Sequence, residues 1–297
     1  MFATLLGALP SPPVPESAAA EAGLDARIEL QMEHGLEPLT AAGWSARGDD
    51  GEVDPLGTWT AAAARTGGMV KAVLPGPWSS HRPVAAIRGE LLGLVDSGCR
   101  WIEVHEPAAA AIGPDPEARA RFSEAHQVLT DGFPGVHLSL ALTGGSADTA
   151  GIETILAGAY ASLAVDLIEG PDNWRLVAAT PGDRGIVCGV IAARPGSDDR
   201  PELPVWAAGY AASTGGRGMD RVGLATAGSL VALTWEQAVE KVRRLGEAAR
   251  LAAAPPDELA RRLDPRAVDI RSAGLGRYDP PAERPSRPGR GPRTIRS

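Results

Sequence analysis

The feature that most constrains this chain is a repeated succession: short apolar runs, each closed by glycine or proline, followed by longer stretches of helical character. Residues 69–74 (MVKAVL) read as a buried strand stopped by Pro75-Gly76-Pro77, and 87–97 as a helix ended by Gly98. Residues 100–105 (RWIEVH) form the next strand before Glu106-Pro107, 118–129 a helix, and 136–142 a strand closed by Gly144-Gly145. The same succession predicts a helix at 152–162, strands at 164–168, 186–192 and 222–225, and helices at 235–253 and 257–263. Parallel strands need a crossover between them, usually a helix, so this order implies a parallel sheet with right-handed connections. Such a sheet is either closed into a barrel or open and doubly wound.

Size bears on that choice. The chain has 297 residues, 44% of them hydrophobic, and an α/β barrel uses roughly 250 residues as one domain. The expected fold class is α/β, a single (β/α)8 TIM-type barrel over residues 1–263. Residues 264–297 then form a Pro/Gly/Arg-rich tail, expected to be disordered from about residue 274. In that tail Arg284, Arg287, Arg290, Arg293 and Arg296 stand among prolines and glycines, with little apolar surface to offset the entropy of ordering.

Composition also excludes partners. A formal charge of −8 argues against a nucleic-acid surface, which needs basic residues to displace counterions. No apolar run is long enough to suggest a membrane span. Two cysteines, Cys99 and Cys188, make no disulfide framework and read as free thiols of a reducing compartment. The start lacks the positive segment of a secretory signal and reads as an uncleaved beginning, so the expected location is cytoplasmic and the expected partner a small-molecule substrate. Oligomeric state is not legible.

In barrels of this kind the reactive groups sit where strands end and loops begin. His105-Glu106-Pro107 ends one strand, His137 and Ser139 lie in the next, and Asp166 and Glu169 accompany the one after. Each has a structural alternative: a histidine hydrogen-bonded in the core, or, for Glu169 before Gly170-Pro171, a solvated turn. Gathered at one mouth, imidazoles and carboxylates suit metal binding or acid–base work. The chain has no G-x-x-x-x-G-K-[ST], H-E-x-x-H or G-x-S-x-G motif.

The order of motifs over most of residues 3–253 resembles the catalytic barrel of cobalamin-independent methionine synthase, in the uroporphyrinogen decarboxylase/methionine synthase-like superfamily. Residues 4–10 (TLLGALP) look like that family's opening strand and turn. Gln31 with residues 35–40 (GLEPLT) resembles its first helix and following strand. Residues 71–79 (KAVLPGPWS) resemble its lysine, strand and Gly-Pro turn, and residues 102–108 (IEVHEPA) its Ile-Gln-Ile-Asp-Glu-Pro-Ala segment.

The resemblance implies zinc held by a His-x-Cys pair, a later glutamate and a second cysteine, and a folate methyl donor. Carried over by position, His137 keeps the histidine, Ser139 replaces the first cysteine, Glu169 keeps the glutamate and Ala227 replaces the second cysteine. His105 stands in place of a substrate-binding aspartate. Zinc chemistry is weakened accordingly, since serine is a poor neutral ligand and alanine is none.

The leading expectation is therefore a divergent enzyme of methyl transfer or related thiol chemistry with a remodelled metal site. His105 and Glu106 would be catalytic, Lys71, Trp78 and Ser139 substrate-binding, and His137 and Glu169 metal ligands with His105 as a third. Two alternatives stand beside it. One is an open divalent-metal enzyme using the two histidines and Glu169. The other is a barrel that binds a small molecule or partner without chemistry.

Overall fold

The structure, a computed structural model, describes residues 1–13, 19–41 and 54–263. The tail at 264–297, and the order expected of it, lie outside the described residues. Eight parallel strands form one sheet: β1 (Phe2–Thr4), β2 (Leu39–Thr40), β3 (Val70–Pro75), β4 (Trp101–His105), β5 (His137–Leu142), β6 (Ser162–Asp166), β7 (Gly185–Ile191) and β8 (Val222–Thr226). Around the sheet the order is β1-β8-β7-β6-β5-β4-β3-β2, which leaves one seam between β1 and β2. Glu37 N–H donates to Ala3 O at 2.8 Å across that seam, and Thr4 Oγ1 donates to Pro38 O at 2.7 Å, so the barrel is nearly closed.

Helices α1 (Ala19–Glu33), α2 (Pro55–Ala63), α3 (Pro77–Ser80), α4 (Val84–Asp96) and α5 (Pro116–Thr130) lie between the strands of the first half. The second half has α6 (Ile152–Ile155), α7 (Trp174–Ala179), α8 (Glu202–Ser213), α9 (Trp235–Ala252) and α10 (Pro256–Arg262). Local chemistry sets the ends of α9: Thr234 and Gln237 make a reciprocal capping box at its start, and Ala238, Val242 and Leu245 bury one face. The helix expected over 152–162 stops at Ile155. Gly158 lies in the connection that follows, where a Cβ would sit 2.7 Å from the Tyr160 ring, and the chain turns into β6 at Ser162.

Strand alternation divides the residues into two sets. Leu74, Ile102, Leu140, Val165, Ile186 and Leu224 face out against the helices in the main apolar core, each fully buried side chain stabilising the fold by about 1.5–3 kcal/mol. Inside the barrel the apolar set is small: Leu6, Ala141, Ala164, Val187 and Ala225, with Phe2 packed against them. Much of the remaining interior is polar, with Lys71, Glu103, His105, Ser139, Ser162 and Asp166 all buried. Helix α8 carries a weak sequence signal for the same packing reason: its buried face is Ala207, Ala208 and Ala211, with no periodic large side chain.

Candidate active site at the carboxyl mouth

His105 is the last residue of β4 and 3% exposed, at the carboxyl end of the barrel interior. Register places it beside Pro75 of β3 and Ala141 of β5, and Ala141 in turn beside Ala164 of β6. Both of the neighbours on that side, Ala141 and Ala164, are small. Its Nε2 lies 2.6 Å from Glu103 Oε1, and Glu103 is two residues earlier on the same strand and hence on the same face. Glu103 in turn accepts from Lys71 Nζ at 2.8 Å, and the same ammonium donates to Leu5 O at 2.7 Å, reaching back to the end of β1 across the seam. The result is a buried relay of lysine, glutamate and histidine running up the interior to the mouth.

The electrostatics favour an ionised carboxylate at the centre of the relay. Burial alone would raise the Glu103 carboxyl, but the Lys71 charge and the His105 hydrogen bond outweigh it and hold the group at about 2. Burial lowers Lys71, and the attraction of Glu103 opposes that. An ionised carboxylate only accepts, so His105 donates from Nε2 and a neutral ring carries its lone pair on Nδ1. Among the described residues Nδ1 makes no hydrogen bond. A base held in one tautomer by a buried carboxylate is the arrangement that proton abstraction requires.

Glu106, expected to be catalytic, instead turns away from the interior. It is fully buried and accepts from Trp78 N–H at 2.9 Å, Ser79 N–H at 2.7 Å and His126 Nε2 at 3.1 Å. It thereby pins the start of α3, the turn that borders the mouth, to β4 and α5. Gly76 is required there, since a Cβ would lie 2.2 Å from the Glu106 carboxylate. His126 Nδ1 meets the Tyr160 hydroxyl at 2.6 Å, completing a structural network behind the barrel wall. Trp78 also faces outward, edge-on to Phe122 at 6.4 Å between centroids with Arg121 over its ring.

The expected metal ligands are dispersed. His137 opens β5 and pairs in register with Trp101, four residues below His105, so it sits about 13 Å lower, at the amino end of the barrel. There its Nε2 lies 2.8 Å from Ser162 Oγ, which donates to Ser139 Oγ at 2.9 Å. Ser139 is thus deep in the interior and spent on Ser162. Glu169 is an exposed rim residue paired with Arg194, and Ala227 lies just beyond the end of β8. Among the described residues no three His, Cys, Asp or Glu side chains are grouped to hold a metal ion. These residues do not fit the zinc or the two-histidine site. A strand-level reason accounts for it: the β5 positions that reach the height of His105 begin at Ala141, not at His137.

Two further groups complete the mouth. Asp166 ends β6 and accepts from Ile168 and Glu169 N–H, both at 2.9 Å, and from Gly144 N–H at 3.2 Å, tying two rim loops together. Burial raises its carboxyl to about 6 against those hydrogen bonds. Asp199, in the loop after β7, accepts from Ala192 N–H at 3.0 Å and pairs with buried Lys241 of α9. Cys188 faces out into the main core, and burial pushes its thiol up to about 12, so it is a small apolar residue.

No family model and no curated protein matches the chain. Solved structures do. A B12-independent methionine synthase from Shewanella sp. W3-18-1, in complex with selenomethionine, superposes with a TM-score of 0.65 at 10% identity, covering 84% of this chain and 97% of that one. A dihydrodipicolinate synthase from Acinetobacter baumannii, complexed with pyruvate, gives a TM-score of 0.50 at 10% identity, covering 86% and 84%. At such identities the likeness is one of fold. The chain is a TIM-type barrel that shares its architecture with enzymes of more than one chemistry.

Proposed function

We propose that this chain is a TIM-barrel enzyme working at its carboxyl mouth, where His105 takes a proton from a nucleophilic group of a small substrate. The observation that carries the reading is the Lys71–Glu103–His105 relay, which presents an oriented imidazole at the end of a strand. Lys71 and Glu103 are positioning residues: the first keeps the second ionised, and the second fixes the tautomer of His105. The methionine-synthase-like order of motifs supports a thiol as the nucleophile and methyl transfer as the reaction. An unactivated thiol has a pKa of about 8.5, within reach of an imidazole base, and no bound metal is then needed to expose the thiolate.

Turnover of small thiols, homocysteine first, with methylated folate as donor is the test. His105→Gln should lower kcat by about 10²–10⁴-fold, the usual contribution of a general base, with the fold intact by circular dichroism. Turnover indifferent to that substitution would contradict the reading, as would a mouth that binds none of the thiols.

A further inference from the structure

At the opposite end of the barrel the strand starts surround a cleft of about 330 Å³, lined by Phe2, Trp101, His137, Ser162 and Gly185, with Asp183, Asp220 and Arg221 at its edge. Its size lies at the small end of the roughly 300–1,000 Å³ typical of small-molecule pockets. Glycines make the room: β7 and β8 begin with Gly185 and Val222-Gly223, and a Cβ on Gly223 would lie 2.4 Å from the Phe2 ring. The walls are aromatic. Trp101 and His137 stack with centroids 3.8 Å apart, and Phe2 stands edge-on to Trp101 at 5.3 Å.

We propose that this cleft is a second binding site, separate from the mouth, for a planar nitrogen heterocycle that carries an exocyclic amine. Shape selects the ring, which packs against the aromatic walls. Polar groups select the amine and the ring nitrogen. Among the described residues the Trp101 indole N–H is enclosed without a hydrogen-bond partner, so a small movement of the ring toward the cleft would let an acceptor nitrogen satisfy it at a gain, since an unmade buried bond is costly. Ser162 Oγ, which donates to Ser139, accepts from His137 Nε2 and leaves the ring lone pair on Nδ1 as an acceptor. Burial lowers His137 to about 4, so that lone pair is present at neutral pH. At the edge two carboxylates outnumber the one guanidinium, which favours an amine or amidine over an anion. Arg221 is partly occupied by Gly182 O at 3.1 Å.

The probes are 2-aminopyrimidine and adenine, with cyclohexylamine and benzoate as the non-planar and anionic comparisons, measured by calorimetry and by the His137 ring resonances. Saturable binding of the two heterocycles, at least tenfold tighter than of the comparisons, is the expected result. Trp101→Phe, which keeps a stacking ring but removes the N–H, should weaken binding at least fivefold. Ala161→Met, at an exposed position on the cleft wall, should block it without touching the core. His105→Gln should leave it unchanged, which separates this site from the mouth. Absence of saturable binding, equal affinity for benzoate, or binding unaltered by both Trp101→Phe and Ala161→Met would overturn the proposal.

Discussion

The two ends of one barrel solve the same problem in different ways. Both hold a neutral-capable imidazole on the interior face, His105 at the carboxyl end and His137 at the amino end, yet their partners differ. His105 is backed by a charged pair, Lys71 and Glu103, and His137 by two serines and an indole. Charge behind a histidine organises it for proton transfer, whereas neutral hydroxyls and a stacked ring hold it uncharged as part of a surface. Residue type alone does not separate the two roles; height along the strand and the identity of the neighbour two residues away do.

The sharpest way to break this contrast is to unbalance the charged end. Lys71→Met leaves Glu103 as an uncompensated charge inside the barrel and should lower unfolding stability by about 3–5 kcal/mol in urea titrations. Adding Glu103→Gln to that variant should recover most of the loss, because the buried charge is then gone. If the single and double variants are equally unstable, Lys71 contributes packing rather than charge compensation.

Titration distinguishes the ends next. Asp166, raised to about 6 from 3.8, binds more protons folded than unfolded between those values, so its contribution falls as pH rises from about 4 to 6, by about 3 kcal/mol at most. His137, lowered to about 4 from 6.5, behaves oppositely: its contribution is complete above about 6.5 and is lost as pH falls toward 4. The two limbs offset each other in the wild type. Asp166→Asn should therefore expose stability that climbs between pH 4 and 6.5, and His137→Gln stability that declines from pH 4 to 6, both measurable as thermal midpoints across pH.

A metal test sharpens the comparison further. Ser139→Cys with Ala227→Cys would restore two thiolates by sequence analogy, but Ser139 lies deep beside Ser162 and Ala227 beyond the end of β8. Elemental analysis should find no stoichiometric zinc gained; tight zinc would show that positions 139 and 227 reach the same level of the barrel. Smallest of all, Glu169→Ala removes an exposed pair with Arg194 and should change stability by less than about 1 kcal/mol and leave the mouth's chemistry intact.

Much of the fold was legible because apolar runs and glycine stops mark buried parallel strands directly: Val70–Pro75, Trp101–His105 and His137–Leu142 each match the expected run within about a residue at either end. Helix α7 was not, being only six residues long and too short to show a period, and α8 was not, since its buried alanines carry no periodic contrast. The site was only half legible. His105 was found as a polar residue at a strand end, but Glu103 was overlooked although period-two alternation already put it on the same face. Glu106 was misread for the same reason, since alternation puts the immediate neighbour of His105 on the opposite face. His137 failed for a different reason: strand membership was correct, but the residue opens its run, at the amino end of a parallel strand, and its height within the run was not weighed.

The central claim, that substrate chemistry belongs to the charged end, is tested most directly by the imidazole resonances of the two histidines during titration with homocysteine at neutral pH. The expected result is a saturable change in the His105 ring signals, concentrated at Nδ1, with the His137 signals unmoved. A response confined to His137, or none at His105 at saturating thiol, would contradict it.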